Sequence, residues 1–375
     1  MLQNEKKAKQ MNPEINFIKQ KFKEYYQKKK VVPPPDMERR EYGFGNDKKI
    51  DYRHFAFKKD SELQEYFITQ TPLYASCSVA YYEFPAARPM ENKHLQGADL
   101  VFEFDAECAH EPTCIECLEK VKEETIKLIE EFLIPDFGFK KEEIKTYFSG
   151  ARGYHIYVRS DTVKQLDSNA RRQIVDYIQG RGIDLKKILQ GATPQSGGWK
   201  GKIAKLIYEF VEKTEPTNFR KVGLIKSYKR AGLSKLVPEQ LQERKEYFLN
   251  AISSGNYSVI PKKDWEKIID EKIVHMSANV DELVTLDVCR LMRLPSTLHG
   301  GTGLLCAEVK DLCSFKPFSD TVVFGTQPIK IKIVKKIPMF SLKEQTFGPF
   351  NENEVKELPE FAALFLICKE LARVA

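Results

Sequence analysis

Apolar and aromatic positions in PEINFIKQKFKEYYQKKK, residues 13–30, recur at helical spacing (Ile15, Phe17, Ile18, Phe22, Tyr25, Tyr26), which predicts an amphipathic helix ending in a lysine run. VVPPPDM then interrupts regular structure, because consecutive prolines fix the backbone and remove hydrogen-bond donors. REYGFG and IDYRHFAF read as two short strands around a polar turn at Asn46 to Lys49, with Arg40, Glu41 and Arg53 expected at solvated positions on that hairpin. A helix carrying Leu63, Tyr66 and Phe67 leads to LYASCSVAYYEF, a β-rich run expected to form a central strand paired with the one that follows. That next strand, LVFEFD, alternates: Glu103 and Asp105 fall on one face and Phe102 and Phe104 on the other.

Beyond it, CLEKVKEETIKLIEEFL keeps a helical period from about Cys117 to Leu133, and IKTYFSGARGYHIYVRS reads as strand, glycine turn, strand, with Ser149, Arg152 and His155 carried by the turn. From residue 166 to 270 the chain shifts to charged helical segments with glycine joints such as QSGGWKGK, expected as a helical subdomain inserted into a mixed α/β (α+β) core made of residues 1–165 and 271–375. In VDELVTLDVCRLMRLPSTLHGGTGL, Leu283, Val284, Leu286, Leu291 and Met292 predict one helix ending near Pro295. A strand in IKIKIVKKIPMF and a closing helix over EVKELPEFAALFLICKELARV complete the pattern.

Composition narrows the function classes. A chain of 375 residues buries a large core and has room for two or three domains. Sixty Lys and Arg against 53 Asp and Glu leave a net charge of +7, which permits a polyanionic partner. Eight unevenly spaced cysteines argue against a disulfide framework and for a reducing interior with some thiols on metal. MLQNEKKAKQ has no apolar core, with Met11 an alternative start, and FAALFLIC is too short to span a bilayer, so neither secretion nor a membrane partner is expected.

Cys108, His110, Cys114 and Cys117 form C-x-H-x-x-x-C-x-x-C, four thiolate or imidazole ligands of the kind zinc takes tetrahedrally. A set filled by protein leaves no open position for water, so the zinc is expected to be structural. Glu103 and Asp105, two like charges on one strand face, are either two solvated acids on an exposed strand or the carboxylates of a phosphoryl-transfer site that holds a pair of divalent cations. A third carboxylate is needed, for which Asp281 and Asp287 are candidates. Against them stand an N-cap role for Asp281 and a surface pair with Arg290 for Asp287. Asp99 shares the acidic face but lies about 20 Å from Asp105 along an extended strand. Arg152, His155, Arg290, Arg293 and His299 could clamp a triphosphate. LHGGTG does not match a P-loop.

Four ordered stretches, REYGF followed by YRHFAF, DLVFEFDAE with its zinc cluster, YFSGARGYHIYV, and VDELVTLDVCRLMRLPSTLHGGTGL, resemble the small catalytic subunit of archaeal and eukaryotic DNA primases, the archaeal members most of all. The resemblance covers roughly Glu38 to Gly303 and implies a primase fold making short primers from nucleoside triphosphates. It implies catalytic Mg²⁺ or Mn²⁺ on Glu103, Asp105 and Asp281, structural Zn²⁺ on Cys108, His110, Cys114 and Cys117, and nucleotide contacts from Ser149, Arg152, His155, Arg293, His299 and Arg53. It further implies a large primase subunit as partner, a single-stranded DNA template, and work in the cytoplasm of an archaeal cell. Two departures stand out: Glu103 occupies a position usually Asp, and Ala151 precedes Arg152 where many relatives carry a second basic residue. The alternatives are a non-catalytic zinc-containing nucleic-acid scaffold and a two-metal nuclease.

Overall fold

The computed structural model describes residues 13–46, 50–107, 112–215, 238–258, 269, 273 and 276–375. By backbone proximity the chain divides into two compact units, one made of Met1–Ile126, Lys141–Arg171 and Asp281–Ala375, the other of Lys127–Lys140 and Arg172–Val280. Both helices and sheets are present, so the protein is mixed α/β.

The first unit holds two four-stranded antiparallel sheets among the described residues. One runs in the order Tyr52–Phe55, Tyr42–Gly45, Tyr74–Ser78, Leu291–Arg293. The other runs Ala307–Glu308, Ile144–Phe148, Gly153–Val158, Leu100–Asp105. A shared apolar cluster locks them together: Val101, Tyr147 and Tyr157 from the second sheet pack with Met292 from the first and Val284 from the short helix Glu282–Leu286. The residues just outside this cluster, Glu103, Asp281 and Arg293, are thereby held by a dry core. A third sheet, Val355–Pro359, Pro328–Ile333, Ala372–Val374, backs the helix Glu360–Cys368, which is buried along its whole apolar run from Phe361 to Cys368.

The second unit is helical where it is described. In Gly198–Lys213 the residues Trp199, Ile203, Ile207 and Val211 form the buried stripe. Trp199 Nε1 donates to Tyr177 O at 2.6 Å, and Asp136, nearly buried, accepts from Lys202 Nζ at 2.7 Å and Tyr177 OH at 3.1 Å. These buried polar groups are paired, as low dielectric demands.

Four expectations are corrected. LYASCSVAYYEF is two strands, Tyr74–Ser78 and Ala80–Tyr82, and neither pairs with the acidic strand; Ala80–Tyr82 pairs with Leu95–Ala98, and the acidic strand pairs with Gly153–Val158. The helix after Asp281 ends at Leu286, because Asp287 Oδ1 takes the Cys289 amide at 3.0 Å and its carbonyl the Arg290 amide at 3.1 Å, a turn that competes with helix. The residues beyond that turn form the strand Leu291–Arg293, so Asp287 caps the helix and does not sit within it. The closing helix is only Glu360–Cys368, flanked by strands, since Pro359 lacks the amide a continuing helix requires. Arg40 and Glu41 are not solvated: they are 1% and 0% exposed.

Candidate active site

The acidic strand delivers the first two groups. Phe102 and Phe104 are buried, which turns Glu103 and Asp105 to the opposite, open face. Across the ladder Glu103 is in register with His155 and Asp105 with Gly153. His155 Nε2 donates to Glu103 Oε1 at 3.0 Å, while its Nδ1, shut off from solvent, has no hydrogen-bond partner. Burial acts to raise the Glu103 carboxyl, but the His155 bond and the charges of Arg290 and Arg293 outweigh it and hold the group below its usual range. Desolvation in the cavity and the neighbouring charge of Glu103 push Asp105 the other way, above the usual range.

The glycine turn is shaped by the same acids. A Cβ on Gly153 would run into the Asp105 carboxylate and the Phe104 carbonyl, so only glycine lets the turn lie this close. Gly150 adopts φ +80°, and Ser149 Oγ closes the turn by accepting from the Gly153 amide at 3.2 Å and the Ala151 amide at 3.3 Å. Thr302 Oγ1 donates to Gly150 O at 2.5 Å, tying this turn to the LHGGTG loop.

Opposite the acids stand cations. Arg293, in register with Ser76, lies 5.3 Å over the Tyr74 ring and has a buried Nη1 without a hydrogen-bond partner. An unsatisfied buried guanidinium nitrogen is costly, and an anionic ligand is its natural complement. His299 Nδ1 accepts from the Gly301 amide at 3.1 Å, which leaves the proton on Nε2. Burial, then the charges of Arg293, Lys369 and Arg152, hold its pKa well below the ordinary value, so this imidazole is a neutral donor. Glu103, Asp105, Ser149, Arg152, His155, Arg293 and His299 all line one cavity of about 420 Å³.

Asp281 sits beside this wall: its amide donates to Glu103 O at 3.2 Å. Its carboxylate is turned to the helix it caps, with Oδ1 accepting from the Val284 amide at 3.2 Å. Among the described residues no three His, Cys, Asp or Glu side chains converge as a preformed metal cage. Arg53 is not among the residues lining the cavity; its Nε donates to Glu41 Oε1 at 2.9 Å. Cys108 and His110 lie outside the described residues. Cys114 and Cys117 flank the start of the helix Ile115–Lys127. Sequence reasoning passed over Ser76, Thr302 and Lys369, which also line the cavity. Ser76 and Lys369 stand in no local motif, and only folding brings them in.

The family model of the DNA primase small subunit matches residues 103–311. The chain is 36% identical to the DNA primase small subunit PriS of Methanothrix thermoacetophila, over 96% of this chain and 98% of that protein. It is 34% identical to PriS of Archaeoglobus fulgidus, over 94% of this chain and 96% of the relative, and 31% identical to PriS of Methanosarcina barkeri, over 96% and 97%. With more than half of its length in that match and nearly full-length coverage by relatives 31–36% identical, the chain belongs to the DNA primase small subunit family.

Proposed function

We propose that this chain is the catalytic subunit of a DNA primase, joining nucleoside triphosphates into short primers on a single-stranded DNA template. One observation carries the reading: two crowded carboxylates and an arginine with a buried, partnerless guanidinium nitrogen line the same cavity. That combination suits a ligand with anionic oxygens and accompanying cations, which a triphosphate and its metals provide. A cavity of about 420 Å³ is of small-molecule size.

The donor set fits hard divalent ions. Glu103 and Asp105 offer carboxylate oxygens, and Mg²⁺ or Mn²⁺ is commonly held by one or two carboxylates plus substrate phosphates, so a full protein cage is unnecessary. Asp281 joins them once its carboxylate leaves the Val284 amide. When bound, two such ions supply charge neutralisation to the attacking and leaving oxygens of the transfer. The protein's own groups do the placing. His155 orients Glu103, Gly153 seats Asp105, Arg152 and Arg293 bind phosphate oxygens, and His299 donates from Nε2 without adding charge. Cys108, His110, Cys114 and Cys117 hold a structural zinc, and residues 166–270 form the helical subdomain within the primase core. A large primase subunit is the partner, and an archaeal cytoplasm the setting.

Asp105→Ala tests the reading directly. On unprimed single-stranded DNA with nucleoside triphosphates and Mn²⁺, the variant should make no primer while its circular dichroism and zinc content match the parent. Full activity would remove Asp105 from the site. Degradation of DNA without nucleotides would favour a nuclease, and the absence of metal-dependent triphosphate binding a scaffold.

A further inference from the structure

One cation of the cavity comes from a distant part of the chain. Lys369 follows the helix Glu360–Cys368 and lies well past residue 311, where the family match ends. Its base is rigid: the helix is buried from Phe361 to Cys368, the Lys369 amide closes it by donating to Phe365 O at 3.1 Å, and Nζ passes 5.6 Å from the Phe365 ring. From there the side chain lines the main cavity together with Arg152 and Thr302. It also lines a small adjoining hollow of about 30 Å³ beside Ala151, Arg152, Thr302 and Phe318.

A lysine after a helix complements the negative end of the helix dipole, and it could do so from any outward pose. That role does not account for its standing in one cavity with Arg152, Arg290 and Arg293, a gathering of cations beside Glu103 and Asp105 that suits an anion of several charges accompanied by metal ions. Nor does it account for the corner it occupies. Ala151 offers only a methyl to the turn that precedes Arg152, and Lys369 borders both cavities that Ala151 borders. The LHGGTG loop brings Thr302 to the same corner and contributes no cation there, Gly301 having no side chain.

Given the primase reading, on which this rests, we propose that Lys369 binds non-bridging oxygens of the incoming nucleoside triphosphate, supplying from the end of a buried helix the charge that a basic residue at 151 would bring. The group adds a charge-assisted hydrogen bond to the phosphate clamp. Its contribution goes to nucleotide binding more than to the chemical step.

The test uses the full-length chain and an equilibrium titration with ATP and Mn²⁺, beside steady-state primer synthesis. Lys369→Met should weaken triphosphate binding and raise KM by about 10- to 100-fold, as loss of one charged hydrogen bond does, with kcat changed by less than about threefold. Affinity for adenosine should be unaltered, and Lys369→Arg should retain most of the triphosphate affinity. Ala151→Arg placed on Lys369→Met should recover part of the loss. Equal triphosphate affinity in parent and Lys369→Met overturns the proposal. So does a loss shared by adenosine and triphosphate with a lowered Tm, or a loss that neither Lys369→Arg nor Ala151→Arg relieves. Failure of the parent chain to bind ATP at all overturns the primase reading itself, and that result is distinct from the others.

Discussion

Asp99 and Asp105 stand at the two ends of one short segment, yet their surroundings are opposite. Asp99 is fully buried and fully answered: Arg40 Nη2 lies 2.9 Å from Oδ2, Tyr81 OH donates to Oδ1 at 2.6 Å, and Arg171 Nη1 donates to its carbonyl at 2.9 Å. Arg40 spends its other donors on Pro35 O and Ser78 O. Asp105 reaches the cavity with a like charge beside it and a glycine turn against it, and its carboxyl is pushed up. The first arrangement is complete without a ligand and fixes where the strand begins. The second is left open at the other end of the same strand, a carboxylate held beside a like charge with cations near but no direct ion pair among the described residues. Structural acids are recognised by satisfied partners, and functional ones by what they still lack.

That contrast can be broken at either end. The largest effect is expected at Arg40: Arg40→Met leaves Asp99 buried without its main cation and should cost about 3–5 kcal/mol in denaturant unfolding. The fraction that remains folded should still bind triphosphate, since Arg40 is not among the residues lining the cavity. Gly153→Ala acts at the other end of the strand: the added methyl meets the Asp105 carboxylate and the Phe104 carbonyl, and should lower primer synthesis by about 100-fold, roughly 2.7 kcal/mol in the barrier, together with a loss of about 1–3 kcal/mol in unfolding.

Asp281 separates the two roles within one residue. Asp281→Ala removes the cap and should cost about 1 kcal/mol, whereas Asp281→Asn keeps a capping oxygen and should leave stability within a few tenths. If the carboxylate serves the chemistry, both variants lose primer synthesis. If Asp281→Asn stays active, the residue is a cap alone.

The smallest effect concerns Glu41, completely buried between Arg53, Lys93 and His54. Burial acts to raise its carboxyl, but the Arg53 hydrogen bond and charge, then Lys93 and His54, bring it below the usual range. A depressed folded-state pKa stabilises the fold above the unfolded value of about 4.3 and loses that contribution as pH falls through the folded value. Arg53→Gln should therefore be less stable than the parent at neutral pH. The gap should narrow on acidification in unfolding titrations. A gap that does not vary with pH would detach Arg53 from Glu41.

Much of the site's local form was legible in the chain. Alternation in LVFEFD set the facing of Glu103 and Asp105, and SGARGYH marked a glycine turn between strands, because both depend on neighbours within a few residues. Longer-range features were not. Leu283, whose spacing predicted a core position on a long helix, is 75% exposed, since a turn at Asp287 ends that helix and frees Leu291–Arg293 to join a sheet. Arg40 and Glu41 look like surface charges until Asp99, Arg53 and Lys93 arrive from other segments.

By itself the sequence determined the acidic strand, the turn chemistry and the ordered motifs of a DNA primase small subunit, since each is written in residue types at short spacing. Only the tertiary structure decided which strands pair, which acids are answered and which are left open, and that Ser76 and Lys369 join the cavity. Those outcomes depend on burial and on charges brought together across tens to hundreds of residues, where no local periodicity reaches.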